Sequence, residues 1–277
     1  MTVKSQTLKV PGAQIYYEIY GSGPILLMIP GGPADAAAFT ALARCVADRY
    51  TTVPYDPRGN SRSVLDGPPE DFHLDLHGDD AAQLLAALGN GPAYVLGSSG
   101  GAQIGLNLTA RYPGRVQTLV AHEPPCVELL PNVEEQRASN KELREIYKAY
   151  GAGAAMQKFM ASTGLNAPPP KDAPPPTPEA QEAFSRVMSN LDFFFGYGMK
   201  AIVEYVPDVA TLKAGTPQVV VGVGEATKGQ IAHETGVVLA ERLGVPPVVF
   251  PGNHGGYSSH PAAFAELLHN VLTRGAS

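Results

Sequence analysis

The arrangement of apolar positions divides the chain into three stretches. In the first, residues 14–20 (QIYYEIY) combine β-branched and aromatic side chains, and residues 25–29 (ILLMI) form a continuous apolar run. Both predict strands, the second buried on both faces. Residues 36–48 predict a helix and residues 51–55 a short strand. Residues 74–88 carry apolar side chains at helical spacing, and residues 93–96 are strand-like. A glycine-rich turn leads into a small-residue helix over residues 102–111, closed by Tyr112-Pro113-Gly114, and then a strand over residues 116–121. Repeated strand–helix alternation predicts parallel strands joined by right-handed crossovers, with helices on both faces of the sheet.

In the second stretch, residues 124–215, strand signals vanish. Residues 133–150 form a charged amphipathic helical pattern and residues 153–162 another. The proline-rich segment 167–178 (APPPKDAPPPTP) predicts an extended loop, and helical patterns resume at residues 179–190 and 197–205. In the third stretch alternation returns: strand 218–223, helix 231–243, strand 248–250 and helix 261–273. The expected organisation is one α/β core, residues 1–123 and 216–277, interrupted by a helical cap of residues 124–215. No internal repeat is visible.

Composition narrows the class. A hydrophobic share of 44% over 277 residues supplies a full core, which excludes disordered and collagen-like chains. The 30 glycines and 26 prolines predict many tight turns. A net charge of −6 offers no basic face, so nucleic acid is not an expected partner. Cys45 and Cys126 cannot build a disulfide framework, and neither has metal-ligand spacing around it. They read as small buried hydrophobes, in keeping with a reducing cytoplasm. Residues 1–10 are polar and mixed, without an apolar signal core. No apolar run approaches the roughly 18 residues of a membrane span. The expectation is a soluble cytoplasmic protein without a membrane partner, for which a homodimer is an option.

The most specific motif is Gly97-Ser98-Ser99-Gly100-Gly101, a G-x-S-x-G match between a predicted strand and a predicted helix. A serine on a sharp strand-to-helix turn leaves no room for side chains two positions to either side. Gly97 and Gly101 satisfy that condition for Ser99, whereas Ser98 would have Leu96 upstream.

With this elbow in place the chain resembles the α/β-hydrolase superfamily over nearly its whole length. Ile29-Pro30-Gly31-Gly32-Pro33 follows the third strand, where that family places its oxyanion loop. Asp56-Pro57-Arg58-Gly59-Asn60-Ser61-Arg62-Ser63 is similar to the family's D-x-R-G-x-G-x-S turn, with Asn60 departing from the usual spacing of glycines. The helical cap falls between the family's sixth and seventh strands. The resemblance implies an α/β-hydrolase fold, with a mostly parallel central sheet flanked by helices.

Acyl transfer needs two donors aimed at the developing oxyanion. The amide of Gly100, directly after the nucleophile, is one candidate. In the 30–33 loop neither proline can donate, which leaves Gly31 and Gly32; family position favours Gly32. Pro30 stands where the family commonly has histidine. For the base, His254 lies in a turn directly after a terminal strand, in Pro251-Gly252-Asn253-His254-Gly255-Gly256, and its place in chain order fits the family. His260, before Pro261, reads as a surface or packing residue.

The acid departs from the superfamily norm. The usual aspartate position in a G-x-x-D segment holds Thr227, in Gly224-Glu225-Ala226-Thr227. Two carboxylates remain: Glu225 in that loop, and Glu123 at the end of the strand after the elbow helix. Chain order accommodates both. Glu123 is favoured because it sits at the carboxyl edge of a parallel sheet, where ligands bind. In this the chain is similar to the zearalenone lactonases, which share the S-S-G elbow, the H-E-x-P segment and the P-G-x-H-x-x-Y-x-S-H-P ending seen here at residues 251–261.

The resemblance implies a serine hydrolase that cleaves an ester or lactone through a Ser99–His254–Glu123 triad, with no cofactor and no metal. The partner is the small-molecule substrate. Met156, Phe159, Met160, Met188, Phe193, Phe194, Phe195, Tyr197 and Met199 give the cap an adaptable apolar surface. Carbon–carbon bond hydrolysis, cofactor-free haloperoxidase chemistry and a slow-turnover ligand receptor are alternative uses of the same fold.

Overall fold

The computed structural model of the protein describes residues 3–71, 73–163 and 177–274. All but the last two residues of the proline-rich segment lie outside the described residues. The chain opens on an antiparallel pair, β1 (Lys4–Val10) and β2 (Ala13–Ile19), later joined by the short β5 (Val64–Leu65). β1 was not expected from the sequence. It is a polar, largely exposed edge strand, so it carries no apolar alternation to read.

The main sheet has six parallel strands in the order β4–β3–β6–β7–β8–β9. These are β3 (Ile25–Ile29), β4 (Thr51–Pro54), β6 (Ala93–Ser98), β7 (Val116–His122), β8 (Gln218–Gly224) and β9 (Val248–Phe250). Alternate residues of each buried strand feed two separate cores. Leu27, Ile29, Val95, Leu119, Ala121 and Val221 face α2 (Leu74–Leu88), α3 (Gly100–Arg111) and α9 (Ile231–Leu243). Leu26, Met28, Leu96, Val120 and Val220 face α1 (Thr40–Val46) and α11 (Pro261–Thr273). Burial on both faces is what the continuous apolar runs require.

From β3 the chain winds to one side to form β4 and then to the other to form β6 through β9. The switch point lies between β3 and β6, and the crevice beyond their carboxyl ends is where such sheets bind ligands. Register brings Ile29 beside Gly97, Ser98 beside His122, and Gly224 beside Phe250.

Between β7 and β8 the described residues are helical. α4 (Val133–Thr163) is interrupted at Gly151, whose φ of 81° and ψ of 179° are not helical, so it consists of two helices meeting at a kink, as the sequence predicts. α5 (Pro178–Ser189) follows, then α6 (Leu191–Phe193), a wide π-type turn over Phe194–Gly198, α7 (Met199–Val203) and α8 (Val209–Ala214). Leu143, Ala155, Leu191, Phe194, Phe195 and Met199 form a core of their own.

Two local expectations need correction. The helix expected from residue 36 begins as a 3₁₀ turn, Ala36–Phe39, capped by Asp35, and becomes α-helical at Thr40. Cys45 is exposed, not buried: the period of α1 turns Leu42, Ala43 and Val46 inward and residue 45 out. Cys126 is buried as expected.

Candidate active site

Ser99 connects β6 to α3 with φ 56° and ψ −128°, a conformation L residues rarely adopt. Its amide donates to His122 O at 2.9 Å, pinning the turn to β7. The flanking glycines are sterically required. A Cβ on Gly97 would stand 2.4 Å from Gly101 O, and one on Gly101 would stand 2.1 Å from Ile29 O. Ser99 lines a cavity of about 290 Å³. Ser98 is buried, with its hydroxyl 3.3 Å from His122 Nδ1.

Gly31, Gly32 and Gly100 line the same cavity. A Cβ on Gly31 would lie 2.6 Å from Ser99 Cβ and 2.8 Å from Gly100 N, so only glycine lets the β3 loop approach the elbow this closely. Gly32 has φ +56°. Gly100 N belongs to the unpaired first turn of α3, whose positive dipole end faces the crevice. Among the described residues the amides of Gly32 and Gly100 have no protein acceptor.

His254 lies in the loop between β9 and α10 (Gly256–Ser259), and it too lines the cavity. The loop is held by Ala226 N–H donating to Gly252 O at 2.9 Å and Gly256 N–H to Asn253 O at 2.8 Å. His254 Nδ1 is 2.5 Å from Glu123 Oε2. A carboxylate acceptor places the proton on Nδ1 and leaves Nε2 as the proton-accepting nitrogen of the neutral ring.

Glu123 follows the last residue of β7, is fully buried, and has a left-handed φ of 48°. Its amide donates to Gly222 O at 2.8 Å. Its Oε1 accepts from Gly224 N–H at 2.8 Å and from the Thr227 hydroxyl. Burial alone would raise this carboxyl, but the bonds from His254 and Thr227 outweigh it and hold it down at about 2. Glu225 begins the turn after β8 and is exposed.

Sequence reasoning registered Thr227 only as the absence of an aspartate, yet its hydroxyl binds the carboxylate of the neighbouring strand. His122 stands beside Glu123, is fully buried, and packs edge-on against Phe250 and Phe264. Burial lowers it to about 4, so it stays neutral near pH 7 and does not compete as a base. His260 is exposed, 2.9 Å from Ser259 Oγ.

The turn after β4 also differs from the sequence reading. Gly59 and Ser61 both have left-handed φ, at 79° and 50°, so the departure from glycine falls at Ser61 and not at Asn60. Asn60 Nδ2 instead donates to Gly32 O at 3.2 Å and Ala34 O at 3.1 Å, bracing the β3 loop. Asp56 accepts from Ala36 N–H at 2.9 Å and from the Arg62 side chain at 2.8 and 2.9 Å. Of the apolar residues expected to furnish a cap, Met156, Phe159, Met160, Phe194 and Met199 line the cavity. Met188 is exposed, and Phe193 packs on Gly59, where a Cβ would stand 2.3 Å from its ring. Among the described residues no group of three or more His, Cys, Asp or Glu side chains is arranged to hold a metal ion. No helix among them is long and apolar enough to cross a membrane.

Comparison with known proteins agrees with this architecture. The family model for the alpha/beta hydrolase fold matches residues 24–164. The uncharacterised hydrolase YraK of Bacillus subtilis is 36% identical over 282 residues, covering 99% of this chain and 98% of the relative. A zearalenone hydrolase of Cladophialophora bantiana is 30% identical, covering 96% and 95%. A thermophilic esterase of Thermogutta terrifontis superposes with a TM-score of 0.77 at 19% identity, over 98% of this chain and 100% of the esterase. Together with the fold, these matches establish that the chain belongs to the α/β-hydrolase family and is a hydrolase.

Proposed function

We propose that the protein is a serine hydrolase that cleaves a carboxylic ester or lactone of an uncharged, largely apolar substrate. The observation that carries the reading is the bond from His254 Nδ1 to the buried Glu123, with His254 and Ser99 on one cavity. Ser99 Oγ attacks the carbonyl while His254 Nε2 takes its proton, and Glu123 holds the ring and offsets the charge that forms on it. The amides of Gly32 and Gly100 receive the oxyanion, the second at a helix N-terminus. Collapse expels the alkoxide, which regains a proton from His254; in a lactone it stays tethered to the acyl group. Water, deprotonated by the same nitrogen, then releases the acid and restores Ser99.

The cavity wall supports the substrate class. Leu143, Met156, Phe159, Phe194, Met199 and Ile202 supply apolar surface, and among the described residues no lysine or arginine lines it. A substrate carboxylate would find no counter-charge among these residues, and burying it unpaired is costly. The relative named for zearalenone hydrolysis is consistent with a lactone. In this reading residues 124–215 act as a cap that closes the substrate cavity, with residues 1–123 and 216–277 as the catalytic core.

The test is turnover on p-nitrophenyl acetate and a short panel of lactones, with a fluorophosphonate probe mapped by mass spectrometry. Many turnovers per site and a label on Ser99, both lost in Ser99→Ala, are the expected result. One acylation without release would make the protein a ligand receptor. Labelling of Ser98, or no labelling, would remove the nucleophile assignment.

A further inference from the structure

Among the described residues three non-glycine residues have positive φ: Ser99, Glu123 and Ser61. The first two belong to the site just proposed. The third is held by a cap residue. Asn190, between α5 and α6, is buried; its Oδ1 accepts from Ser61 N–H at 2.7 Å, and its Nδ2 donates to Ser61 Oγ at 2.9 Å and Pro33 O at 2.8 Å. Arg186, one turn earlier, donates to buried Asp35 at 2.6 Å. The cap therefore clasps the β3 loop at its far end.

The carbonyls of residues 31–34 are all engaged. Gly31 O accepts from Ala34 N–H at 3.1 Å. Gly32 O and Ala34 O accept from Asn60, and Pro33 O accepts from Asn190. These bonds form a chain through two peptide planes. Asn190 fixes the carbonyl of the Pro33–Ala34 peptide. The N–H of that peptide holds Gly31 O, and the opposite end of the Gly31–Gly32 peptide is the Gly32 N–H. In a trans peptide the C=O and N–H point in opposite directions, so holding one aims the other.

Resting on the hydrolase reading above, we propose that Asn190 is a positioning residue for the oxyanion hole. It holds the Pro33–Ala34 peptide so that Gly32 N–H faces the reacting carbonyl. Cap docking and oxyanion-hole formation are then one event, and a detached cap segment leaves a weaker catalyst as well as an open cavity.

Asn190→Ala and Asn190→Asp test this. The aspartate keeps the acceptor for Ser61 N–H but loses both donors, so it reports on the carbonyl contact and serves if the alanine variant does not fold. Mis-aiming one oxyanion donor should lower kcat by about 10- to 100-fold, with KM within about twofold because the apolar wall is intact. Affinity for an alkyl boronic acid, which forms a tetrahedral adduct on Ser99, should fall by a similar factor. Affinity for an unreactive ether analogue of the substrate should hold. A kcat within threefold of wild type in either folded variant would overturn the proposal, as would equal losses of boronate and ether binding. A wild-type protein that neither turns over esters nor binds the boronate would instead refute the hydrolase reading.

Discussion

Thr227 occupies the position where the family resemblance places the acid, and its hydroxyl binds Glu123, the residue proposed as acid here, on the neighbouring strand. In the proposed reading two residues act together: Glu123 supplies the charge, and Thr227 with Gly224 N–H fixes its Oε1 so that Oε2 meets His254. Thr227→Val removes one charge-assisted hydrogen bond at nearly constant volume. At about 1.5 kcal/mol for such a bond, turnover should fall about tenfold with KM unchanged, measured on the best ester of the panel. Ser98→Ala should retain most activity, since its hydroxyl faces His122 and not the cavity. Ser99, His254 and Glu123, proposed here as nucleophile, base and acid, stood out in the sequence because each sits in a short motif at a strand end. Asn190 was not, because its partners Ser61 and Pro33 lie 129 and 157 residues away and no local pattern records them.

Elements read well wherever burial imposed a period. The runs that became β3 and β9 and the helical patterns of α2, α9 and α11 match the structure at their stated bounds. Where a segment is polar and at an edge, as β1 is, or helical with an unusual turn, as Phe194–Gly198 is, periodicity carried no such information. The join between β6 and α3 depends on glycine at both flanks, and Gly101 is the tighter position. Gly101→Ala would drive a methyl to 2.1 Å from Ile29 O, against backbone that cannot turn aside. The expected result is a destabilisation of about 1–3 kcal/mol by thermal or urea melting, together with loss of turnover as the turn at Ser99 and the loop after β3 separate.

Across the whole molecule, α/β packing makes the sheet a rigid platform, and the order β4–β3–β6 places its crevice where the loop after β3 and the turn at Ser99 meet. Glu123 links that platform to the acid limit of stability. Its carboxyl is held at about 2, below an ordinary value near 4.5, so its contribution is full above about pH 4.5 and lost as pH falls through about 2. Urea midpoints of wild type and Glu123→Gln should therefore converge as pH falls from about 4.5 toward 2.

Turnover of Glu123→Gln against Glu225→Gln tests the central claim most directly. Loss of a triad acid lowers turnover by about 10⁴ in a serine protease, through the wrong histidine tautomer. Glu123→Gln should lose several orders of magnitude in kcat while still binding an uncharged product analogue. Glu225→Gln, altering an exposed turn, should stay close to wild type. Near-normal turnover in Glu123→Gln, or a collapse confined to Glu225→Gln, would contradict the account and return the acid to the loop after β8.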